Sequence, residues 1–487
     1  MSNAISLATT TMNKQHILNR PEPDLNAIEL SAINNIEWDE ALITKYNVSG
    51  PRYTSYPTAL SFQPNYSADD VQHAINNSAN NTLSLYIHIP FCHQLCYYCG
   101  CNKVITRHQH KADQYLDFLI EELTQQAPNF SHYTINQLHF GGGTPTFLTD
   151  EQMIRIMKAI NAAFTLHKTA EVSIEIDPRS LRPSSLCLLK KLGFNRISIG
   201  IQDFNPDVQQ AVNREQSYEQ IAALFEQARA LQFDSVNADF IYGLPHQTPE
   251  SFKKSIDMLL DLSPDRVSVF NYAHLPERFA AQRKIDSHAL PSPSHKLMMF
   301  KNTIQQMTQA GYQYIGIDHF AKKDDSLAIA QRKGNLHRNF QGYTTLKDSD
   351  LLGLGVSSIS QIGSSIFQNE KQLKHYYKKL NEDASAVTVG LNLSKDDRIR
   401  AAVIKSLLCH SVLSMRKIEE QFNINFEQYF SDSLASIQPF ITDELIQIID
   451  RSIYITNKGR LFARMICTAF DAYISNTAQQ QRYSRIL

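Results

Sequence analysis

The feature that most constrains the fold is a regular alternation of strand-like and helix-like segments between Leu83 and Tyr272. Runs rich in β-branched and aromatic residues, such as TLSLYIHI and RISIGIQ, are typical of buried strands. Between them lie segments with helical periodicity, such as HKADQYLDFLIEELTQQ and PESFKKSIDMLLDL. The strand-like runs recur at roughly the 30-residue length of a βα unit. This alternation predicts an α/β fold around a parallel sheet with right-handed crossovers.

The number of βα units limits which α/β architectures are expected. Six strand-like runs, rather than eight, predict a partial (β/α)6, TIM-like barrel, although an open doubly wound sheet has the same rhythm. Either architecture places the active site at the carboxyl ends of the strands. Residues that could take part in catalysis or ligand binding fall there: they follow YIHIP and LHF, and they lie within IEIDP and at IQDF.

Four regions are predicted along the 487 residues. Residues 1–35 are polar and aperiodic, which predicts a disordered extension. Residues 36–66 are expected to fold over the active site as a lid, with a short helix around Trp38 to Tyr46 followed by the extended string SGPRYTSYPT. The barrel is expected to span residues 67–394. Short amphipathic segments then predict a small, mostly helical C-terminal domain over residues 395–487.

Charge and hydropathy exclude several classes of protein. The 47 lysines and arginines nearly balance the 48 acidic residues, so no global attraction to nucleic acid or to an anionic membrane is expected. No window of about 18 apolar residues is present, which predicts no transmembrane helix. Residues 1–20 lack the apolar core of a secretory signal. We therefore expect a cytoplasmic protein with neither nucleic acid nor membrane as a partner.

The seven cysteines are unevenly distributed. One short string, YIHIPFCHQLCYYCGCNK, holds Cys92, Cys96, Cys99 and Cys101. The scattered cysteines, expected to be buried structural thiols, are Cys187, Cys409 and Cys467. An odd total with one tight cluster does not fit a secreted disulfide framework. It indicates a metal or cluster site kept reduced in the cytosol.

Thiolates bind both zinc and iron–sulfur clusters. The Cys-x3-Cys-x2-Cys spacing favours a [4Fe–4S] cluster on Cys92, Cys96 and Cys99, whereas zinc sites more often use paired CxxC knuckles. A zinc site on the four cysteines remains the alternative. Three ligands leave one iron with an open coordination position, as catalytic zinc sites do. That position can chelate the amino and carboxylate groups of S-adenosylmethionine.

Further motifs follow one another along the chain: RYTSYPT, HFGGGTPTFL, SIEIDP, IGIQDFNPDVQQAVNREQ, ADFIYGLPHQTPESF, FNYAHLPERFAAQRKI, IGIDHFA, LHRNFQGYTT, KGRLFARMIC and RYSRIL. The cysteine spacing resembles that of the radical-SAM superfamily. With these motifs, the chain resembles the oxygen-independent coproporphyrinogen III oxidases from about Ile36 to Leu487. The resemblance implies a radical-SAM catalytic barrel, a [4Fe–4S] cluster and two molecules of S-adenosylmethionine.

The resemblance also implies roles for individual residues. Cluster ligands are implied at Cys92, Cys96 and Cys99, and an essential thiol that is not a ligand at Cys101. Contacts to a first S-adenosylmethionine are implied at Tyr86, Gly142, Gly143, Thr144, Glu175, Gln202, Arg214 and Asp239. Contacts to a second one are implied at Tyr98, Ala273 and Ile359. Positions lining the reaction site are implied at Phe340 and Gln341. Tyr98 departs from the family, in which phenylalanine is usual.

The implied reaction is the oxidative decarboxylation of two propionates of coproporphyrinogen III to vinyl groups, which gives protoporphyrinogen IX. An electron donor for the cluster, similar to flavodoxin or ferredoxin, and an unknown electron acceptor are implied, and the family suggests a monomer. Propionates call for basic side chains, ideally arginines that pair with both carboxylate oxygens. The hypothesised candidates are Arg52, Lys103, Arg107 and Arg338.

Two alternatives remain at this point. A related family of haem chaperones shares the three-cysteine motif, but it typically lacks Cys101 and the segment 52–58 and carries an HNxxYW motif. The sole tryptophan here is Trp38, so that motif is absent. The second alternative is a zinc-stabilised binding protein on a βα scaffold.

Overall fold

The computed structural model describes residues 34–347, 349–383 and 385–474. Its centre is a set of parallel strands at the six predicted positions: β1 Thr82–Ile89, β2 Thr134–Gly142, β3 Thr165–Ile176, β4 Arg196–Gln202, β5 Ser235–Tyr242 and β6 Arg266–Asn271. The predicted α/β class and the partial barrel are confirmed. The predicted disorder of residues 1–35 and the string RYSRIL fall, apart from Asn34 and Asn35, outside the described residues.

Helices connect these strands: His110–Gln126, Asp150–Ala163, Ser185–Lys191, Pro206–Ala211, Tyr218–Ala230, Pro249–Leu262 and, after β6, Pro293–Gln309. Local sequence fixes several of their starts. Thr149 and Gln152 form a capping box, in which each side chain accepts a hydrogen bond from the other's backbone N–H. Ser217 caps the helix Tyr218–Ala230 by accepting a hydrogen bond from the backbone N–H of Gln220.

The sheet is wider than the sequence predicted, because β1 to β6 belong to a thirteen-stranded mixed sheet. Beyond β6 lie two antiparallel strands, β7 Tyr312–Gly316 and β8 His319–Lys322, with β8 next to β6. On the other side, β9 Asp350–Leu354 pairs parallel to β1. Three antiparallel strands and the short Gln63–Pro64 follow outward from β9: β10 Ile359–Ile362, β11 Ser365–Asn369 and β12 Val387–Asn392.

Side-chain alternation along the strands separates an apolar outer face from a polar interior. In β4, Ile197, Ile199 and Ile201 are buried, while Ser198 and Gln202 line the interior cavity. The last residues of β3 alternate in the same way, so Glu175 also faces the interior. The interior of the barrel is therefore a polar lumen rather than a packed apolar core.

The C-terminal part is mostly helical, as predicted: Lys395–His410, Met415–Phe422, Phe426–Tyr429, Ser431–Ser436, Gln438–Thr442 and Ala463–Thr468. It also contains a three-stranded antiparallel sheet that was not predicted: Val412–Ser414, Ile446–Ile449 and Ser452–Ile455. One apolar core runs without interruption from Ile43, through the barrel, to Phe470.

The segment after helix Glu40–Tyr46 is fastened to the C-terminal part. Arg464 donates hydrogen bonds to the carbonyls of Gly50 and Pro51. Tyr53 donates to Asp471 at 3.0 Å. In the described part of the chain, no helix has both the length and the apolar character needed to cross a membrane.

Candidate active site

The loop after β1 carries all four clustered cysteines. The two-residue strand Phe91–Cys92 pairs parallel with Val104–Ile105, so the loop leaves and returns at one point. Side chains of Cys92, Cys96 and Cys99 line one cavity of about 170 Å³ at the carboxyl ends of the strands. The position at the strand ends and the gathering of the three thiols agree with what the spacing predicts.

Each of these thiols receives a hydrogen bond. Thr144 Oγ1 donates to Cys92 Sγ at 3.3 Å, and Arg179 Nη2 donates to Cys96 Sγ at 3.2 Å. The thiol of Cys101 bonds that of Cys99, which lowers the pKa of Cys99 to about 6 and raises the pKa of Cys101 well above its usual range. Donors aimed at sulfur stabilise the thiolate, the form that binds a metal or cluster.

A buried network of ion pairs holds the Cys96 thiol in place. Two members of this network, Asp177 and Arg179, were not predicted from the sequence. Arg179 and Arg214 both pair with Asp177, at 2.7 Å and 3.2 Å, and Arg214 Nη1 also reaches Cys96 Sγ at 3.4 Å. Burial would raise the pKa of Asp177, but Arg214 and Arg179 outweigh it and hold the pKa at about 2. The string DPRS directly after β3 was the available signal for Asp177 and Arg179, because strand ends face the site.

Gly142, at the end of β2, and Gly143, directly after it, allow close approach to β1 and to the start of the cysteine loop. A Cβ at Gly143 would lie 2.6 Å from the carbonyl oxygen of Pro90, and one at Gly142 would lie 2.7 Å from the His88 ring. Gly142 also has a φ of +115°, which favours glycine. Its N–H donates to Glu175 at 3.2 Å. Both glycines and Thr144 line the cavity beside the thiols, where the sequence predicted cofactor contacts.

Carboxylates form the floor of the same cavity. Glu175 lies near the end of β3, 3.5 Å from His139, whose ring stacks on that of Tyr86. Asp239 lies inside β5, three residues before its end rather than beyond it, and accepts from Ser198 at 2.8 Å. Burial raises the pKa of Asp239, and the nearby Glu175 adds to that rise.

Gln202 and Arg214, two further positions predicted from the sequence, line the same cavity. Gln202 ends β4 at a bulge, with a left-handed φ of +73°. Arg214 donates to the carbonyl oxygen of Gly200 at 2.5 Å. Its Nε is buried and has no hydrogen-bond acceptor among the residues the structure describes. An orphaned buried N–H beside the thiols is consistent with a ligand that binds there.

A second cavity, of about 400 Å³, extends the first one into the lumen. The two cavities share Glu175, Ser198, Gln202 and Asp239 as walls. Gln341 lines the larger cavity from the hairpin formed by His337–Asn339 and Gly342–Thr344, and Phe340 precedes it in the turn. The predicted cofactor and reaction-site regions are thus joined.

Two of the three residues implied for a second S-adenosylmethionine, Tyr98 and Ala273, share one hydrogen-bond donor. Gln282 donates to the carbonyl oxygens of Tyr98 and Ala273, at 3.0 Å and 3.2 Å, and so holds these two backbones side by side. Gln282 is itself buried and was not predicted. Ile359 begins β10, on the other side of β1.

The four candidates for binding propionates differ in their surroundings. Arg52 is ion-paired with Asp318 at 2.7 Å. Lys103 donates to the carbonyl oxygens of Cys99 and Cys101, so it braces the cysteine loop. Arg107 is exposed on an outer depression next to His93 and Ile105. Arg338 lies in the hairpin that carries Gln341.

The donor set fits an iron–sulfur cluster. The three cavity-facing thiols, each hydrogen-bonded, suit a cluster whose fourth iron is left for another ligand. Within residues 34–347, 349–383 and 385–474, no three His, Cys, Asp or Glu side chains are placed to hold a single metal ion. A mononuclear zinc site is therefore not formed by the described side chains.

A partial barrel with three cysteines on its first loop, and with glycines and carboxylates at the following strand ends, defines a radical-SAM protein. Residues 86–259 match the family model of the Radical SAM superfamily, and residues 393–462 match that of the HemN C-terminal domain. Radical-SAM enzymes bind a [4Fe–4S] cluster and S-adenosylmethionine.

Relatives with curated names show which family within the Radical SAM superfamily the chain belongs to. An Escherichia coli protein named oxygen-independent coproporphyrinogen III oxidase is 52% identical over 94% of this chain and 100% of its own length. The Pseudomonas aeruginosa protein of that name is 48% identical over 93% and 100%. The solved Escherichia coli coproporphyrinogen III oxidase (HemN), described as a radical SAM enzyme, has a TM-score of 0.88 at 51% identity and covers 90% of this chain and 100% of that one. The chain belongs to the family of oxygen-independent coproporphyrinogen III oxidases. The chaperone and zinc alternatives are not supported.

Proposed function

We propose that this chain oxidatively decarboxylates two propionate side chains of coproporphyrinogen III to vinyl groups and thereby forms protoporphyrinogen IX for haem biosynthesis. The observation that carries this proposal is the joined cavity, which leads from the cysteine thiols to Gln341. When bound, the cluster and S-adenosylmethionine supply a 5′-deoxyadenosyl radical able to remove hydrogen from the propionate β-carbon. The relatives' shared name supports the substrate.

The chain's own residues first hold the cluster. Cys92, Cys96 and Cys99 provide its ligands in this proposal, and the donors Thr144 and Arg179 favour their thiolate forms. Cys101 keeps its proton next to Cys99 and faces the same cavity, so it is placed to meet a substrate or radical rather than an iron.

The walls of the cavity then orient S-adenosylmethionine. We assign its contacts to Tyr86, Gly142, Gly143, Thr144, Glu175, Gln202, Arg214 and Asp239. The glycines expose backbone groups, and the carboxylates of Glu175 and Asp239 accept hydrogen bonds from hydroxyl or ammonium donors. A second S-adenosylmethionine is proposed at Tyr98, Ala273 and Ile359. The close approach of the Tyr98 and Ala273 backbones supports a shared ligand for those two.

Aromatic walls help to exclude water from the reaction site. Phe270, Phe320 and Tyr343 line the lumen around Gln341, and Phe340 precedes Gln341 in the turn. We propose the segment 36–66 as a lid, the barrel over 67–394 and a C-terminal domain over 395–487. The bonds between Arg464 and the carbonyls of Gly50 and Pro51 support a lid that acts together with the C-terminal part.

The proposed decarboxylation requires an electron donor and an electron acceptor as partners. The cluster needs a one-electron donor, for which a flavodoxin or ferredoxin is proposed, and each decarboxylation releases an electron to an acceptor of unknown identity. A monomer in the cytoplasm is proposed. The near-neutral charge gives no attraction to nucleic acid.

The test is an anaerobic assay of reconstituted protein with S-adenosylmethionine, a reductant, coproporphyrinogen III and a cell-extract acceptor. Protoporphyrin formation by the wild type, lost in Cys92→Ala and Cys101→Ala but kept in Cys187→Ala, is the expected result. Cys187 lies in helix Ser185–Lys191, outside the cavity, and is the matched control. Formation of 5′-deoxyadenosine without a vinyl product would remove the substrate assignment, and a colourless, iron-free protein would remove the function altogether.

A further inference from the structure

Positive charge is concentrated where the hairpin of Gln341 meets the N-terminal segment and the C-terminal part. Arg52, Arg338 and Arg464, here called the cationic cluster, lie close enough to the buried carboxylate of Asp318 to interact with its charge. Arg52 and Arg338 help to hold the pKa of Asp318 well below its usual range despite its burial. Burial lowers the pKa of Arg464 to about 9, and the charges of Arg52 and Arg338 act in the same direction.

Two lysines also lie close enough to the hairpin for their charge to act on His337. Burial and then Lys405 lower the pKa of His337 to about 3, and Lys347 adds to this effect. Asp318, the buried carboxylate next to the cationic cluster, is already engaged by Arg52 at 2.7 Å and by His319 at 2.6 Å. An anion from outside the chain would supply the cationic cluster with a further partner.

One member of the cationic cluster differs from the other two. Arg464 is bound to backbone carbonyls, and Arg52 is bound to Asp318. Nε and Nη1 of Arg338 are buried and have no hydrogen-bond acceptor among residues 34–347, 349–383 and 385–474. A guanidinium without acceptors is costly to bury, and a ligand carboxylate is the group that its N–H donors match best.

The position of Arg338 connects it to the reaction site. Its guanidinium lies over the Tyr343 ring, 4.7 Å from the ring centroid, and the two residues are cross-strand partners in the hairpin. Tyr343 lines the lumen next to Gln341, whose amide oxygen and nitrogen are likewise buried without partners in the described chain. The unpaired donors of Arg338 thus lie in the same hairpin as Gln341 and Tyr343, which line the cavity.

Resting on the proposed function, we propose that Arg338 binds a propionate carboxylate of the tetrapyrrole substrate. Arg52 and Arg464 keep the surroundings positive and hold the N-terminal segment against this site. Arg338 is a substrate-binding residue in this assignment, and its removal changes binding of the carboxylate without changing the cluster or S-adenosylmethionine sites.

The test measures binding of coproporphyrin III, the fluorescent oxidised form that keeps all four propionates, to anaerobically reconstituted holoenzyme. Arg338→Leu is expected to raise Kd by about 10- to 100-fold, as expected for the loss of a charged hydrogen-bonded pair. Arg338→Lys, which keeps the charge, is expected to bind more tightly than Arg338→Leu. Arg107→Leu removes an exposed arginine outside both cavities and is expected to leave Kd unchanged.

The tetramethyl ester of coproporphyrin III separates a carboxylate contact from a distorted hairpin. Arg338→Leu is expected to leave binding of the ester unchanged, since the ester carries no carboxylate for Arg338 to bind. An equal loss of acid and ester binding, or an unchanged Kd for the acid, would overturn the assignment. Cluster absorbance and substrate-free 5′-deoxyadenosine formation should match the wild type. Vinyl formation by the wild type is measured in parallel, so failure of the proposed function is seen separately from failure at Arg338.

Discussion

Gly143, directly after β2, brings its backbone closer to the start of the cysteine loop than a residue with a Cβ could. We expect Gly143→Ala to destabilise the fold by about 1–3 kcal/mol, because the added methyl would meet the backbone of Pro90 at 2.6 Å. The loop must then shift, and S-adenosylmethionine affinity is expected to fall at least about tenfold. Urea unfolding and equilibrium binding measure the two effects.

The matched control is Gly311→Ala. Gly311 also has a positive φ, of +86°, but nothing lies within 4 Å of the added methyl. It should lose about 1 kcal/mol through backbone strain alone and keep its affinity for S-adenosylmethionine. Equal losses of affinity in both variants would contradict the steric argument.

A single arginine connects the cluster to the network around Asp177. Arg179→Met removes the N–H that points at Cys96 Sγ. Hydrogen bonds to cluster sulfurs favour the reduced, more negative state, so the midpoint potential is expected to become more negative by about 60 mV, a tenfold change for one electron. A redox titration followed by EPR measures it. Arg182→Met, which loses an ion pair to Asp150 away from the sulfurs, should leave the potential unchanged, and the same shift in both variants would argue against the contact.

Sequence reasoning found the residues that carry a local pattern and missed those defined only by the fold. The cysteines share one loop, so their spacing alone predicted their meeting. Gln282 lies far along the chain from Tyr98, and only folding brings its amide to the Tyr98 carbonyl. Arg179 was missed for a similar reason, since its partner sulfur belongs to another strand end.

The helix Lys395–His410 ends in a histidine that makes stability depend on pH. Burial and then Lys405 lower the pKa of His410 to about 4, whereas an unfolded histidine titrates near about 6.5. Between these values the unfolded chain binds a proton that the folded chain does not. The free energy of unfolding is therefore expected to fall as pH drops from about 6.5 to about 4, by up to about 1.4 kcal/mol per pH unit from this residue.

His410→Gln is expected to reduce that slope by up to one proton equivalent, as measured by urea unfolding at several pH values. His288→Gln serves as the control, because His288 is exposed in a short surface turn. A slope that remains the same in His410→Gln, or that falls equally in His288→Gln, would show that the buried imidazole is not protected from protonation.

The elements that follow the βα rhythm were predictable, and those outside it were not. β1 to β6 are apolar runs separated by helical periodicity, and each of them is present. β9 is a five-residue strand with a glycine, Asp350–Leu354, and its parallel partner β1 lies more than 250 residues earlier. Its pairing depends on a long-range contact that no local pattern records. The C-terminal sheet was missed because its strands are only three or four residues long.

One large apolar core joins the barrel to the C-terminal part, beside two smaller apolar clusters. Ile399, Val403 and Leu407, on one face of the helix Lys395–His410, are buried in the same apolar cluster as the barrel strands. Arg460 donates to the carbonyl oxygen of Tyr314 in β7, so the barrel edge and the C-terminal part also share hydrogen bonds. The boundary predicted near residue 395 therefore falls between regions that are packed against each other.

This packing predicts that a chain ending at residue 394 will not fold as an independent barrel. Removing residues 395–487 exposes the apolar surface of the core that the helix Lys395–His410 covers, and the truncated chain is expected to aggregate or to unfold without cooperativity. Solubility and urea unfolding measure this directly. In the control, a protease site is inserted after Leu393 in the full-length chain, and the two pieces should elute together after cleavage because their shared core is intact. A truncated chain that stays monomeric and binds its cluster would show that the barrel is a separate folding unit after all.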